Sequence, residues 1–310
     1  MRLINAVLHW DNLTDAWLSV AENRGAPGAD GVSVKRFARH WEAHLRRLRD
    51  VVRTNQYRSG RLRQFTVPKP GGDGERLIAI PTVADRVLQR AMLNVIDDLF
   101  DRQFLDCSYG YRAGRSLHQA VAALLAHRDR GLTSVLDADI DECFASLDHE
   151  LLYGFLSGTI DDPVVLGLLR AWLRAGRRAT HPDRGIALGM PVSPLCCNVY
   201  LHRLDQELVR NRWAVHGTLR VVRYADDFVC CCASQHQAEQ ARQVVADILA
   251  DLRLQLEPTK THVTSFADGF DFLGVRFHRD SYEFLWRGKT IEVSGPTPEW
   301  LWGYVPDGYE

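Results

Sequence analysis

Two strongly β-forming runs, 219–224 and 228–233, are separated only by Ala225-Asp226-Asp227. So short a break between apolar runs leaves the backbone one compact solution, a tight hairpin, and it sets two carboxylates side by side at the tip. A second acidic strand end lies far upstream, where the β-rich run 133–138 leads into Asp137-Ala138-Asp139-Ile140-Asp141-Glu142. Asp is common in turns, so Asp226-Asp227 taken alone reads as a turn and nothing more. Together with the other acidic strand end it reads as a place where charge is gathered for a purpose. Carboxylates about 4 Å apart repel by about 4 kcal/mol at an effective dielectric of about 20. A fold that collects them needs protons or cations, and oxygen donors with open positions suit Mg²⁺, which takes one or two protein carboxylates plus substrate phosphates.

The rest of the chain supplies a frame for such a hairpin. Phe37, Trp41, Leu45 and Leu48 recur at helical spacing and predict a surface helix over 34–52 with arginines on its other face. A strand at 64–67, the turn cluster Pro68-Lys69-Pro70-Gly71-Gly72-Asp73-Gly74 and a strand at 76–80 predict a hairpin with basic residues near its tip. Helices are expected at 84–99, 116–129 with Ser116 as N-cap, 148–157, 162–175, 192–210 and 235–252, and a final pair of strands at 261–266 and 271–277. The alternation predicts an α+β fold, an antiparallel sheet backed by helices.

Bulk properties narrow the class. The 310 residues, 46% hydrophobic and 25% charged, can bury a large core. No apolar run approaches the ~20 residues that cross a bilayer, and the start, MRLINAVLHWDNL, lacks a basic leader, so a cytoplasmic chain without a membrane partner is expected. Seven cysteines without any CxxC pair predict reduced, buried thiols. A net charge of −1 is low for a polyanion binder. Arginine is nonetheless concentrated early (Arg46, Arg47, Arg49, Arg53, Arg58, Arg61, Arg63), where its plainest reading is a solvated helix face.

The segment RYADDFV around Asp226-Asp227 closely resembles the catalytic box of group II intron reverse transcriptases. Further boxes follow in that family's order. The segment 12–33 resembles the N-terminal extension, 67–91 the fingers hairpin and following helix, and SYGYRAGRSLHQA (108–120) the next box. DADIDECFASLDH (137–149) resembles the first palm carboxylate motif, 185–205 the loop and helix behind the templating pair, and FDFLGVRF (270–277) the primer-grip hairpin. The resemblance implies a right-hand polymerase fold: N-terminal extension and fingers over 1–134, and a palm over 135–277 with a helical finger-like insertion around 150–180. A strap or linker over 278–310 would follow, with the thumb absent or truncated.

The family's roles fall on matching positions. Asp139 and Asp226 would hold two Mg²⁺ ions, with Mn²⁺ as a substitute, Asp227 would support them, and the Ile140 carbonyl would help seat the triphosphate. Phe144 matches the steric gate against a 2′-hydroxyl. Lys69 and Arg76, with Arg63 as a third candidate, match the grip on the incoming triphosphate. Lys260 occupies the place of the lysine that protonates pyrophosphate, and Phe272-Leu273-Gly274 that of the primer-grip turn. An RNA template, a DNA or RNA primer and dNTPs are the implied partners.

Two departures point to a subfamily. Where the family commonly has Pro-Gln-Gly, this chain has Ala187-Leu188-Gly189, and leucine cannot offer the nucleotide an amide hydrogen bond. The stretch after 277 is short and ends in a Pro/Gly-punctuated aromatic tail with Trp300, Trp302 and Tyr304, read as a strap packed on the palm. Together these resemble reverse transcriptases of CRISPR adaptation, fused to or encoded beside a spacer integrase. The alternatives are an intron-encoded maturase and a polymerase fold kept as an RNA-binding module. A GGDEF-type cyclase, suggested by Gly71-Gly72-Asp73-Gly74-Glu75, is rejected because that stretch precedes the acidic strand and lies between Lys69 and Arg76.

Overall fold

The computed structural model describes residues 2–68, 75–177, 181–211, 219–286 and 288–294. In chain order the elements are α1 (Leu3–Val7), α2 (Trp10–Glu22), α3 (Val34–Ala38), α4 (Trp41–Arg53), β1 (Arg63–Pro68), β2 (Glu75–Ile80), α5 (Val83–Asp101), α6 (Leu117–Asp129), β3 (Ser134–Ala138), α7 (Cys143–Ser146), α8 (His149–Ser157), α9 (Pro163–Gly176) and α10 (Ser193–Gln206). A π-helical turn (Glu207–Asn211) precedes β4 (Arg220–Tyr224), β5 (Asp227–Cys232), α11 (Gln235–Asp251), β6 (His262–Ser265), β7 (Phe270–Phe272), β8 (Val275–His278), β9 (Ser281–Trp286) and β10 (Lys289–Ser294).

Helix starts follow local chemistry. Ser116 and Gln119 exchange side-chain and backbone bonds as a capping box ahead of α6. Thr82, Asp148, Asp162 and Ser234 accept backbone N–H groups at the starts of α5, α8, α9 and α11, and Pro163 occupies the first turn of α9. The helix expected over 34–52 is two. His40 leaves helical geometry at φ −139°. The break lets Phe37 turn onto Trp17, ring centroids 4.9 Å apart, while Leu45, Leu48 and Val52 of α4 stay buried.

The chain forms two compact units, Met1–Gln103 with Phe144–Val199, and Phe104–Cys143 with Tyr200–Glu310. The segment expected to close the fingers, 104–134, thus belongs by its packing to the second unit, because α6 buries Ala120, Val121, Leu124 and Leu125 in the same core as Val222, Val229 and Cys231 of the sheet. In the first unit, α1–α5, α8 and α9 accompany the two-stranded antiparallel ribbon β1–β2.

The second unit holds two four-stranded sheets. One, in the order β4-β5-β3-β6, is antiparallel throughout, with α6 on one face and α11 packed against β3, β5 and β6. The other is the meander β10-β9-β8-β7, whose Phe270, Phe272, Phe277, Tyr282 and Phe284 join the core beneath α6. Part of the expected strap is therefore sheet: residues 281–294 fold as β9 and β10, because Tyr282 and Phe284 alternate inward along β9. Trp300, Trp302 and Tyr304 lie outside the described residues. The seven cysteines are free thiols, and six of them are buried. No helix among the described residues is long and apolar enough to cross a membrane.

Candidate active site

Strand register brings the two acidic segments together. Ala138 pairs with Phe228 and Asp137 with Val229, so the last pair of the ladder stands immediately before Asp139 on one strand and immediately after Asp227 on the other. Lys260 feels the charges of both Asp139 and Asp227. On the other side of β5, Tyr224 pairs with Asp227, which closes a two-residue turn of Ala225 and Asp226. Asp226 thus rides on the turn itself, half-buried, beside an exposed Asp227.

Behind Asp139 the chain is braced by the loop before β6. Asp141 N–H donates to the Gln255 carbonyl at 3.0 Å and Glu257 N–H donates to the Asp139 carbonyl at 2.9 Å. This double tether delivers Lys260, whose Nζ lies 2.6 Å from Asp139 Oδ2. That hydrogen bond, with the charges of Asp139 and Asp227, holds the lysine above its ordinary range against a smaller opposing effect of burial. Ile140 is buried and bridges to Leu256.

Asp137, two residues before Asp139 on the same face, is pushed up to about 7, first by burial and then by the charges of Asp227, Asp139 and Asp271. Burial is the larger cause of that elevation and the neighbouring carboxylates the smaller. The donor set is all oxygen, which fits a hard cation. Among the described residues no three His, Cys, Asp or Glu side chains converge as a ready-made cage.

The nucleotide-side candidates sit in the first unit. Arg76 pairs with Val67 near the tip of the β1–β2 ladder and Arg63 pairs with Ile80 at its base. Four residues of strand, roughly 13 Å, separate the two ends. Arg63, whose NH1 is 3.5 Å from the Pro27 carbonyl, is therefore not brought together with Arg76. Lys69 lies outside the described residues. The loop carrying Leu188 is laced on both sides: Ala79 N–H on β2 donates to the Leu188 carbonyl at 2.7 Å, and Ile186 N–H donates to the Phe144 carbonyl at 2.7 Å. Leucine in place of glutamine leaves this seat intact, because the backbone makes the contact. Gly189, at φ +106°, has no room for a side chain, since a Cβ would fall 2.9 Å from the Ala79 carbonyl oxygen. Phe144 is 9% exposed. Arg76, Leu188 and Phe144 are thus linked through one backbone path.

In the second unit Phe272 pairs with Val275, which leaves Leu273 and Gly274 as a two-residue turn with φ of 53° and 74°. A turn with both central residues at positive φ matches the twist of the strands. Leu273, the residue for which this backbone is unusual, is held by packing on the aromatic core.

Sequence reasoning passed over three features. Asp137 is one of a plain acidic run in the sequence, and in the fold it is half-buried within reach of the charges of Asp227, Asp139 and Asp271. His262 pairs with Asp137 across β3 and β6 and so shares its face. Arg223 and Asp205, both fully buried, form an ion pair just behind the Ala225-Asp226 turn.

Residues 67–277 match the family model described as "Reverse transcriptase (RNA-dependent DNA polymerase)". The chain is similar to protein YkfC of Escherichia coli, 29% identical with 90% of this chain and 83% of that protein covered. It is also similar to the group II intron-encoded protein LtrA of Lactococcus lactis, 27% identical over 66% of this chain, of which it spans only 35%. Among solved structures, telomerase from Candida albicans has the same fold over 72% of this chain and 46% of that one, with a TM-score of 0.56 at 14% identity.

Proposed function

The chain belongs to the reverse transcriptase family, and from that premise we propose that it extends a primer 3′-hydroxyl with dNTPs on an RNA template by two-metal catalysis. What supports the reading is the register that pairs Ala138, just before Asp139, with Phe228, just after Asp227, beside the Asp226 turn.

Asp139 and Asp226 would hold two Mg²⁺ ions, with Asp227 and the Ile140 carbonyl in support. Bound there, the pair of ions lowers the proton affinity of the attacking hydroxyl and stabilises the leaving pyrophosphate. The chain's own residues do the rest. Arg76, with Lys69, clamps the triphosphate by charge-assisted hydrogen bonds. The ring of Phe144 excludes a 2′-hydroxyl by bulk. Lys260, held protonated beside Asp139, is placed to give a proton to pyrophosphate as it departs. The Leu273-Gly274 turn presents backbone to the primer end.

The test is extension of a primer on an RNA template by the full chain with dNTPs and Mg²⁺ or Mn²⁺. The joint variant Asp226→Ala/Asp227→Ala is expected to abolish it. A parent chain that binds RNA yet extends no primer, whatever the template and partner protein, supports the binding-module reading instead.

For biological role we propose spacer acquisition from RNA alongside a CRISPR integrase. This rests on the Ala187-Leu188-Gly189 loop and the aromatic sequence after 294. Co-expression with an integrase and a CRISPR array, followed by sequencing of new spacers, tests it. Spacers spanning RNA splice junctions are expected. Promotion of splicing of a flanking intron RNA overturns it in favour of a maturase, the reading that the likeness to LtrA favours.

A further inference from the structure

The box SYGYR is assigned no task by the proposed mechanism, yet its backbone runs against the strand that carries Asp226. Arg223 N–H donates to the Cys107 carbonyl and Tyr109 N–H donates to the Arg223 carbonyl, both at 2.8 Å. Residues 107–109 thereby add a short parallel edge to β4, bridged at Ser108 and Arg223. One residue on, Gly110 lies directly against the turn. A Cβ there would sit 2.5 Å from Ala225 N and 3.0 Å from the Tyr224 carbonyl carbon.

That turn needs a splint. Ala225 stands at φ 58°, in the first central position of a two-residue hairpin turn, where Gly, Asn or Asp is usual. A residue with a Cβ persists in such a conformation only where its surroundings over-determine it. The Arg223 side chain supplies this. Its Nε and NH2 donate to the two oxygens of Asp205 at 2.8 and 2.6 Å, NH2 also donates to Ser108 Oγ at 2.8 Å, and NH1 donates to the Ala225 carbonyl at 2.8 Å. Asp205, on α10, thus fixes the plane of the guanidinium, and the guanidinium fixes the carbonyl that precedes Asp226.

Stability alone does not account for this arrangement. Both side chains are 0% exposed, and a buried ion pair is often replaceable by packed apolar residues without loss of stability. An apolar pair could not donate to the Ala225 carbonyl. A lysine could not either while keeping two parallel bonds to Asp205, because only the planar fork does both. We propose that Arg223 and Asp205, with Gly110 beneath, are positioning residues that hold the strained Ala225-Asp226 turn so that the Asp226 and Asp227 carboxylates are aimed at their ions. The inference rests on the reading of those carboxylates as ion ligands and extends it to their support.

The test separates support from folding. In the joint variant Arg223→Met/Asp205→Leu, cooperative thermal unfolding is expected to persist near the parent midpoint. Its kcat for primer extension should fall on the order of 100-fold, the loss that about 1 Å of misplacement can produce, with dNTP KM little changed. Mn²⁺ binding, followed by electron paramagnetic resonance without substrate, should weaken by about 10–100-fold, as it does when outer partners of metal ligands are removed. Gly110→Ala, with the ion pair intact, should lower kcat and Mn²⁺ affinity in the same sense, as should Arg223→Lys. A folded joint variant with the parent's kcat and Mn²⁺ affinity overturns the proposal. If that variant does not fold, unchanged Mn²⁺ affinity in Gly110→Ala and Arg223→Lys overturns it. Should the parent itself extend no primer, the polymerase reading fails while the Mn²⁺ titrations still decide this one.

Discussion

The hairpins β4–β5 and β1–β2 are the same structural element built in opposite ways. In β5 every residue after Asp227 is buried, and the strand lies between β4 and β3. β1 and β2 form a ribbon of their own, exposed along nearly all of β1. A lone two-stranded ribbon is marginal in water, and this one is anchored where Ala79 bonds the Leu188 carbonyl. The contrast teaches where accuracy is needed. On the proposed reading the carboxylates share ions and must be held to a fraction of an ångström, which a hairpin set in a core with a buried ion pair behind it can do. On the same reading the exposed ribbon carries a grip on triphosphate, a task that tolerates an element from the less stable part of a fold.

The largest expected effect tests the first half of that contrast. Arg223→Ala leaves Asp205 buried and unpaired and is expected to cost about 3–5 kcal/mol of stability. Arg76→Ala, on the exposed ribbon, should stay within about 0.5 kcal/mol of the parent. Urea unfolding of both variants checks the pair, and equal losses would erase the distinction. The second half is read in kinetics. Removing a charge-assisted hydrogen bond worth about 1.5–3 kcal/mol should raise the dNTP KM of Arg76→Ala roughly 10–100-fold. An unchanged KM would leave the ribbon without its assigned task.

The difference between the hairpins also explains what the sequence could tell. The β4–β5 tip was legible because two apolar runs with so short a break allow little choice of register, and Tyr224 pairs with Asp227 as that break requires. Ser116 announced its helix by a cap that needs only local residues. Arg223 was harder to see, since its partners Ser108 and Asp205 are distant in sequence and a buried charge runs against the usual expectation for arginine. A signal was present all the same. Alternation puts Arg220 and Arg223 on opposite faces of β4, so a strand covered on both faces had to bury at least part of one of them. The strands β9 and β10 were similarly readable in the alternation of Tyr282, Phe284, Ile291 and Val293 about Gly288. The opposite ends taken by Arg63 and Arg76 follow from the hairpin itself, since Arg63 opens its first strand and Arg76 follows its turn.

Phe144 sharpens the comparison from the nucleotide side, because its carbonyl is tied to the loop that anchors the ribbon. Phe144→Ala should narrow the preference for dNTPs over rNTPs by about 10–200-fold, the range that one group's bulk achieves in a pocket. Extension assays with each nucleotide set measure it, with unfolding followed in parallel to separate the loss of a largely buried ring. A preference that does not move removes Phe144 from that role and leaves it a core aromatic.

The smallest effect concerns pH and belongs to the splinted side. His127 on α6 lies half-buried, and its Nδ1 has no hydrogen-bond partner among the described residues. Burial, then the positive charges of Arg130 and Arg220, lowers it from the ordinary 6.5 to about 4. In the folded chain the ring is therefore neutral through a window in which the unfolded chain is protonated. The unfolded state binds more protons there, so this histidine's contribution is intact above pH 6.5 and is lost as pH falls toward 4. Asp137 works in the opposite sense: a carboxyl held near 7 makes the folded state the better proton binder, so its contribution grows as pH falls through that value. The parent's own curve is a difference between the two, and only a variant can isolate one of them. Relative to the parent in EDTA, His127→Gln should gain stability as pH is lowered from 6.5 and show a constant offset above 7, measured by urea unfolding at each pH. The same offset at pH 5 and pH 7.5 would mean that α6 does not hold a neutral ring against the sheet.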